Sequence, residues 1–305
     1  MRLDSLAGRE HWDTVHAGEA AGLEPRPANA PASRVRRALR RLLGTRVRRY
    51  MSSYDDHLLW DVLYARHLPA AGAEVLEVGS APGEHLARLS ERFGLVPYGI
   101  EYSQPGLDVN RALFAQRGLD PQNVVALDFF SEECRDGYRE RFDVVMSRGF
   151  IEHFVDAGEV VARHIELLRP GGLLVVTIPN LRGLNRVLTR LFHAELLPMH
   201  NLEIMKLPAF RRLFETEALD PLHCGYLGSF SFYLFNVKPG SPLAPVLGAC
   251  MRLQPLLNLL FRVYPGDRGV QSPFASSQLV YVGRKRVTRP REAASAEPAS
   301  PRAGH

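Results

Sequence analysis

Residues 74–84 read Glu-Val-Leu-Glu-Val-Gly-Ser-Ala-Pro-Gly-Glu, and the fold turns on how this stretch is read. A β-branched, apolar run carries an acid near its end, at Glu77. A loop of small residues follows and opens a helix. Glycines at 79 and 83 let backbone approach a ligand closely. Uncapped N–H groups at the start of the helix favour an anion there. The next apolar run ends in Glu101, 22 residues after Gly79, where a carboxylate can accept hydrogen bonds from a ribose diol.

The same grammar extends outward. Strands are predicted at 74–80, 96–103, 123–130, 142–149 and 173–179, with helices at 53–67, 83–93, 104–117 and 156–168 between and before them. Apolar runs alternating with helices imply a parallel sheet covered on both faces, and right-handed crossovers make it doubly wound. Beyond 180 the pattern changes. A helix is predicted from Leu207 to Leu219, a strand at 230–237, a helical region at 242–264 and a last strand at 277–285. The two final strands are expected as antiparallel neighbours at the sheet edge, with 239–276 inserted between them.

Two cofactor classes use a strand–loop–helix of this kind. A dinucleotide needs room for a pyrophosphate, usually through G-x-G-x-x-G. Here the second and third glycines are replaced by Ala81 and Glu84, and Glu84 would set a negative charge beside the phosphates. S-adenosylmethionine has no phosphate, and its sulfonium is a cation. Glu-Val-Gly-Ser-Ala-Pro-Gly resembles the first motif of class I S-adenosylmethionine-dependent methyltransferases of the small-molecule type, with Ala81 at the middle glycine. The segments ending in Glu101 and Asp128, Arg-Phe-Asp-Val-Val-Met-Ser-Arg-Gly-Phe-Ile-Glu-His-Phe (141–154) and Leu-Leu-Arg-Pro-Gly-Gly-Leu-Leu-Val-Val-Thr-Ile-Pro-Asn (167–180) are similar to that family's later motifs, in order.

The resemblance implies an α/β fold, a doubly wound, mostly parallel seven-stranded sheet (Rossmann-like) whose last strand is antiparallel. It implies S-adenosyl-L-methionine as cofactor. Glu77, Gly79, Ser80 and Gly83 would meet the donor's methionine part, Glu101 its ribose, and Asp128 with Phe129 its adenine. Ser147, at the end of the fourth strand, joins that donor-binding set. Three rivals stay open: a nicotinamide-dependent oxidoreductase, a methyltransferase-fold binding protein without chemistry, and an RNA methyltransferase.

Methyl transfer from a sulfonium is an in-line displacement with a good leaving group, so orientation and dryness can do most of the work. A base matters when the acceptor is a hydroxyl or a protonated amine. His153 is the first candidate base or orienting group and His200 the second, because imidazole titrates near neutral pH. The fourth strand ends Ser147-Arg148-Gly149-Phe150, without the Asp/Asn-Pro-Pro-Tyr motif of amino-methylating nucleic-acid enzymes. The chain has three lysines, Lys206, Lys238 and Lys285, all late in sequence, against the paired catalytic lysines of ribose 2′-O-methyltransferases. The fifth strand ends Pro179-Asn180 without an acid, so no catalytic metal is expected. A small-molecule, glycan or lipid-linked acceptor is the reading, with oxygen favoured over nitrogen.

The 305 residues hold 38 Lys+Arg against 33 Asp+Glu, a net charge of +5. Residues 34–49 carry eight arginines and no acid, so the rest of the chain sits near −3. Val35, Ala38, Leu39, Leu42 and Leu43 form one apolar stripe on this basic helix. Packing over the domain, docking on an anionic membrane surface, and nucleic-acid binding compete as its role, the last disfavoured. Three scattered cysteines suit a reducing compartment. Charges replace the apolar run of a signal peptide, and no eighteen-residue apolar stretch occurs. A cytoplasmic protein is expected, with peripheral contact at the inner membrane surface through 34–49. The organisation reads as an arm (1–50, with a linker at 17–33), a methyltransferase domain (51–287, with 239–276 as a helical insertion) and a disordered tail (288–305).

Overall fold

The computed structural model describes residues 4–22, 53–235, 237 and 240–287. The segments 34–49, expected as a basic helix, and 288–305, expected as a tail, lie outside these residues. Seven strands form one sheet: β1 (Glu74–Val78), β2 (Val96–Glu101), β3 (Val124–Ala126), β4 (Phe142–Arg148), β5 (Leu168–Pro179), β6 (Leu219–Leu227) and β7 (Gln278–Lys285). Their order is β3-β2-β1-β4-β5-β7-β6. The pairs from β3 to β5 are parallel, and β7 runs antiparallel to both β5 and β6.

Burial on both faces explains the unbroken apolar runs. Along β4 and β5, Val145, Leu174 and Val176 enter one core, while Val144, Met146, Leu173 and Val175 enter the other. The first core is closed by α6 (Ala157–Leu167) and α8 (Leu207–Arg212), through Val160, Val161 and Phe210. The second is closed by α2 (54–67), α3 (Glu84–Phe93) and α4 (Gln104–Gln116), through Trp60, Leu86 and Phe114. In α2 the turns His57–Tyr64 are π-wound. Among the described residues the remaining α-helices are α1 (Arg9–Gly22), α5 (Glu132–Tyr138), α7 (Gly183–His193) and α9 (Ala244–Val263).

Four expectations are corrected. The linker read at 17–33 is helical as far as Gly22, because Ala-Gly-Glu-Ala-Ala-Gly continues α1 and alanine is the strongest helix former. The third strand stops at Ala126, and 127–130 form a turn. The helix predicted through Leu219 ends at Arg212, and Leu219 starts β6. The strand predicted at 230–237 is a 3-10 turn at Phe232–Leu234, with Phe235 in a small apolar cluster with Phe192 and Leu247. Pro221 masks β6 in the sequence. It is tolerated because β6 is an edge strand paired only with β7.

Candidate active site

In the strand order, direction reverses between β1 and β4, and ligands in such sheets bind beyond the carboxyl ends of the strands at that point. Two cavities open there, of about 440 Å³ and about 690 Å³. Gly79 and His153 belong to the walls of both.

The β1–α3 loop builds the first wall. Gly79 has φ +68°, and a Cβ there would come within 2.9 Å of the Phe150 ring. Gly83, at φ +98°, starts α3 with no side-chain cap, leaving the helix N-terminus to the cavity. Ser80 contributes backbone, since its buried hydroxyl accepts from Asn110 Nδ2 at 2.7 Å. Beneath the loop Glu77 is buried. Its Oε1 meets His85 Nδ1 at 3.1 Å, and His85 Nε2 meets the Tyr64 hydroxyl at 3.0 Å. Burial lowers the His85 pKa and the charge of Arg148 lowers it further, against the opposing pull of Glu77. The neutral ring then donates from Nδ1 and accepts at Nε2. Glu77 Oε2 is buried with no partner. An orphaned carboxylate oxygen beside an open helix N-terminus fits an amino acid's ammonium and carboxylate, the two ends of the donor's methionine.

The larger cavity runs over β2 and β3 and is walled by Ile100, Tyr102, Leu127, Asp128, Phe129 and Phe130, among others. Asp128 Oδ1 accepts from the Phe130 N–H at 2.9 Å, while Phe129 packs edge-on against Phe150. An aromatic wall with a free carboxylate oxygen fits a purine and its amino group. Glu101, between Ile100 and Tyr102 in sequence, belongs to neither wall and is 3% exposed, with Oε1 on the Ser103 N–H (2.9 Å) and Oε2 on the Ala81 N–H (3.3 Å). Each oxygen keeps a lone pair for a ribose diol. Ser147 departs from its assignment. It is 1% exposed, belongs to neither wall, and has a buried hydroxyl without a partner. Strand alternation puts its successor Arg148 in the cavity instead.

The smaller cavity continues past the donor loop to Arg148, Glu152, His153, Thr177, His200 and Gln278. The 3-10 turn Ile151–His153 follows β4 and carries Glu152, fully buried, and His153, 5% exposed. The Asn201 N–H donates to Glu152 O at 2.6 Å, which draws the loop of His200 onto this turn. The two imidazole rings lie 4.5 Å apart, so the structure brings both predicted histidines together. Burial, then the neighbouring His200, lowers His153 to about 4. Burial raises Glu152 to about 8.

Two features were not read from the sequence as functional. Glu152, next to His153 in Phe-Ile-Glu-His-Phe, carries no role in the sequence analysis. The other is α1, a lid on the larger cavity: Arg9 and Trp12 line it, and Trp12 meets His153 edge-on at 4.9 Å. The lid is pinned by Leu6 N–H to His153 O (2.7 Å), Val155 N–H to Asp4 O (3.1 Å) and Ser103 Oγ to Asp13 Oδ1 (2.7 Å).

The chain is 32% identical over 110 residues to the ubiquinone biosynthesis O-methyltransferase of Bradyrhizobium diazoefficiens, covering 36% of this chain and 41% of that one. It is 33% identical over 134 residues to the tRNA U34 carboxymethyltransferase of Syntrophotalea carbinolica, covering 43% and 40%. It thus spans about two fifths of the length of the curated relatives it matches. Among solved structures it is similar to an S-adenosylmethionine-dependent methyltransferase from Thiobacillus denitrificans in complex with S-adenosyl-L-homocysteine, with a TM-score of 0.44, 20% identity, and 74% and 90% of the two chains covered. Residues 37–222, more than half of the chain, match the family described as "Methyltransferase domain". The chain therefore belongs to the methyltransferase-domain family.

Proposed function

We propose that the protein methylates an oxygen atom of a small acceptor, free or carried on a lipid or glycan. The observation that carries this reading is the chamber of about 440 Å³ beside the donor loop, walled by Arg148, Glu152, His153 and His200. The donor, when bound, supplies an electrophilic methyl carbon on a sulfonium. The chain's own residues then hold and dry the nucleophile. Thr177 and Gln278 offer hydrogen bonds to a hydroxylated acceptor, and Arg148 a cation for an acidic one. His153, with its pKa lowered to about 4, is neutral at pH 7. Its Nδ1 lies 2.8 Å from Met199 O, so Nδ1 holds the proton and the Nε2 lone pair is left to accept one from a hydroxyl. The test is transfer of labelled methyl to a panel of phenols, carboxylic acids, polyprenyl alcohols, amines and RNA. An O-methyl product is expected, with kcat/KM falling 10²–10⁴-fold in His153→Ala and S-adenosylhomocysteine binding kept. Transfer only to amines or RNA, or an unchanged rate in the variant, would overturn the reading.

A second observation favours an acceptor met at an anionic bilayer. α9 is turned inside out. Gln254 and Asn258 face the protein, with Gln254 bonded to the Phe232 N–H (2.8 Å) and to Asn258 (3.0 Å), whereas Leu253, Leu256, Leu260 and Val263 are each more than half exposed. α7 repeats the inversion, burying Asn185 and Thr189 and exposing Val187 and Leu191. Among the described residues α9 is the helix long and apolar enough to cross a membrane, but its inward polar bonds suit a helix lying on the surface. Charge points to anionic lipid: 221–266 contain no acid, and Arg252 and Arg262 lie on α9. Vesicles containing phosphatidylglycerol should retain the protein and neutral vesicles should not, with Leu256→Glu plus Leu260→Glu abolishing retention. Retention on neither, or retention unchanged in the variant, would refute a bilayer occupant.

A further inference from the structure

Two imidazole lone pairs and a buried carboxyl group face one another in the acceptor chamber. A carbonyl oxygen only accepts. His153 Nδ1 lies 2.8 Å from Met199 O and His200 Nδ1 lies 2.6 Å from Leu196 O. Each Nδ1 must therefore carry its ring's proton, and each neutral ring presents a bare lone pair at Nε2. Glu152 stands with them, fully buried, both carboxylate oxygens without a hydrogen-bond partner. His153 Nε2 is 3.9 Å from Glu152 Oε1, and the three residues offer ligand atoms within 4.8 Å of one another. Without a cation, burial keeps the proton on Glu152; a cation between the two lone pairs and this carboxyl group would take that proton's place.

We propose that Glu152, His153 and His200 form a binding site for a divalent transition-metal cation, zinc being the probe of choice. Two imidazoles and a carboxylate are a donor set suited to Zn²⁺, Fe²⁺ or Co²⁺ rather than to Mg²⁺ or Ca²⁺, which prefer oxygen. Ligands about 2.0–2.2 Å from a four-coordinate zinc stand about 3.3 Å apart, so the observed spread closes by side-chain rotation of about 1 Å. The surroundings are those of a metal centre. Each histidine's distal nitrogen is fixed by a backbone carbonyl, and the turn and loop that carry the ligands are tied by Asn201, whose N–H meets Glu152 O at 2.6 Å and whose Nδ2 meets Phe154 O at 3.2 Å. Three protein ligands leave a coordination position open toward the chamber that also holds Arg148 and Thr177. With the cation bound, His153 Nε2 would be a ligand and not the base, and an acceptor hydroxyl in the open position would lose its proton to solvent at a lower pH. The role rests on the acceptor reading above; the site itself does not. The sequence suggested no metal because β5 ends without an acid, but these ligands come from the turn after β4 and the loop before α8.

The full chain, stripped with a chelator and dialysed, is titrated calorimetrically with Zn²⁺ and, in parallel, with S-adenosylhomocysteine. One zinc per chain is expected. Its affinity should fall at least tenfold in Glu152→Gln and in His200→Ala, with S-adenosylhomocysteine affinity unchanged in both. His200 is only half-buried, so its variant decides if Glu152→Gln does not fold. Co²⁺ should give visible absorption bands in the wild type that His200→Ala lacks. Absence of stoichiometric zinc in a protein that binds S-adenosylhomocysteine, or equal zinc affinity in the variants, would overturn the site. Zinc bound at these residues with no O-methyl product would instead sink the acceptor reading and leave the site standing. O-methyl transfer unaffected by the chelator, with no zinc bound, would do the reverse.

Discussion

The lid formed by α1 makes a sharp quantitative prediction about donor affinity. Ser103 is its hinge pin. The hydroxyl donates to Asp13 Oδ1 at 2.7 Å and accepts from the Gly106 N–H at 3.4 Å, while the Ser103 N–H holds Glu101 Oε1 at 2.9 Å. One residue thus couples the lid, the start of α4 and the acid behind the ribose position. A hydrogen bond to a charged group contributes about 1.5–3 kcal/mol. The Asp13 side chain is 38% exposed, so screening brings this to about 1 kcal/mol. If the lid must close for the donor to be held, Asp13→Ala raises the dissociation constant for S-adenosylhomocysteine by about fivefold. Ser103→Ala loses the same bond and about 1 kcal/mol of helix capping besides. The double variant should fall short of the sum of the two by about 1 kcal/mol, which isolates the bond. Deleting residues 1–22 should cost more than either. Calorimetric titration of the wild type and the four variants reads all of this. Affinities that add without coupling, together with undiminished binding in the deletion, would show that α1 is not a lid.

Other outcomes follow from single positions. Gly79→Ala, forced into a left-handed backbone against the Phe150 ring, should weaken S-adenosylhomocysteine binding at least tenfold while the melting temperature moves by only a few degrees. Phe210→Ala, in the core at no exposure, should destabilise by about 3–5 kcal/mol in urea unfolding, and a loss below 1 kcal/mol would contradict its place there. Asp55 lies among Ser277 Oγ (2.6 Å) and the Ser229 N–H (3.0 Å), yet burial raises it from 3.8 to about 6. With the folded value above the unfolded one, its contribution to stability is complete below pH 4 and is lost as pH rises through 6. The difference is about 3 kcal/mol between pH 3.5 and 7. Asp55→Asn should remove that slope from a pH series of urea midpoints, and an unaltered slope would refute the assignment.

The parallel half of the sheet was legible because each strand announces itself by burial on both faces, and the β1 loop because Gly79 and Gly83 hold backbone angles that other residues resist. The edge was not. β6 contains Asp220, Pro221 and His223, all poor strand formers, and exists because β7 offers it a ladder. Phe-Ser-Phe-Tyr-Leu-Phe looks like a strand, yet its apolar residues join the α7–α9 cluster instead. At the site, His153 and His200 were found as residue types, whereas their convergence with Glu152 depends on a turn and a loop 47 residues apart in sequence. Ser147 was misplaced by one residue, which in a strand is a change of face.

The position of β7 has a consequence for the order in which the molecule can be made. Among the described residues β7 is the last strand in sequence, yet it lies inside the sheet and supplies the ladder on both sides, to β5 and to β6. A nascent chain that has emerged only as far as α9 has the strands of the donor half, β1 to β4, but one raw sheet edge at β5 and no ladder for β6 to join. Donor binding and completion of the sheet are thus separable in time. A ligand captured early would steady the first half while Tyr281 and its neighbours are still to arrive and fill both cores at once.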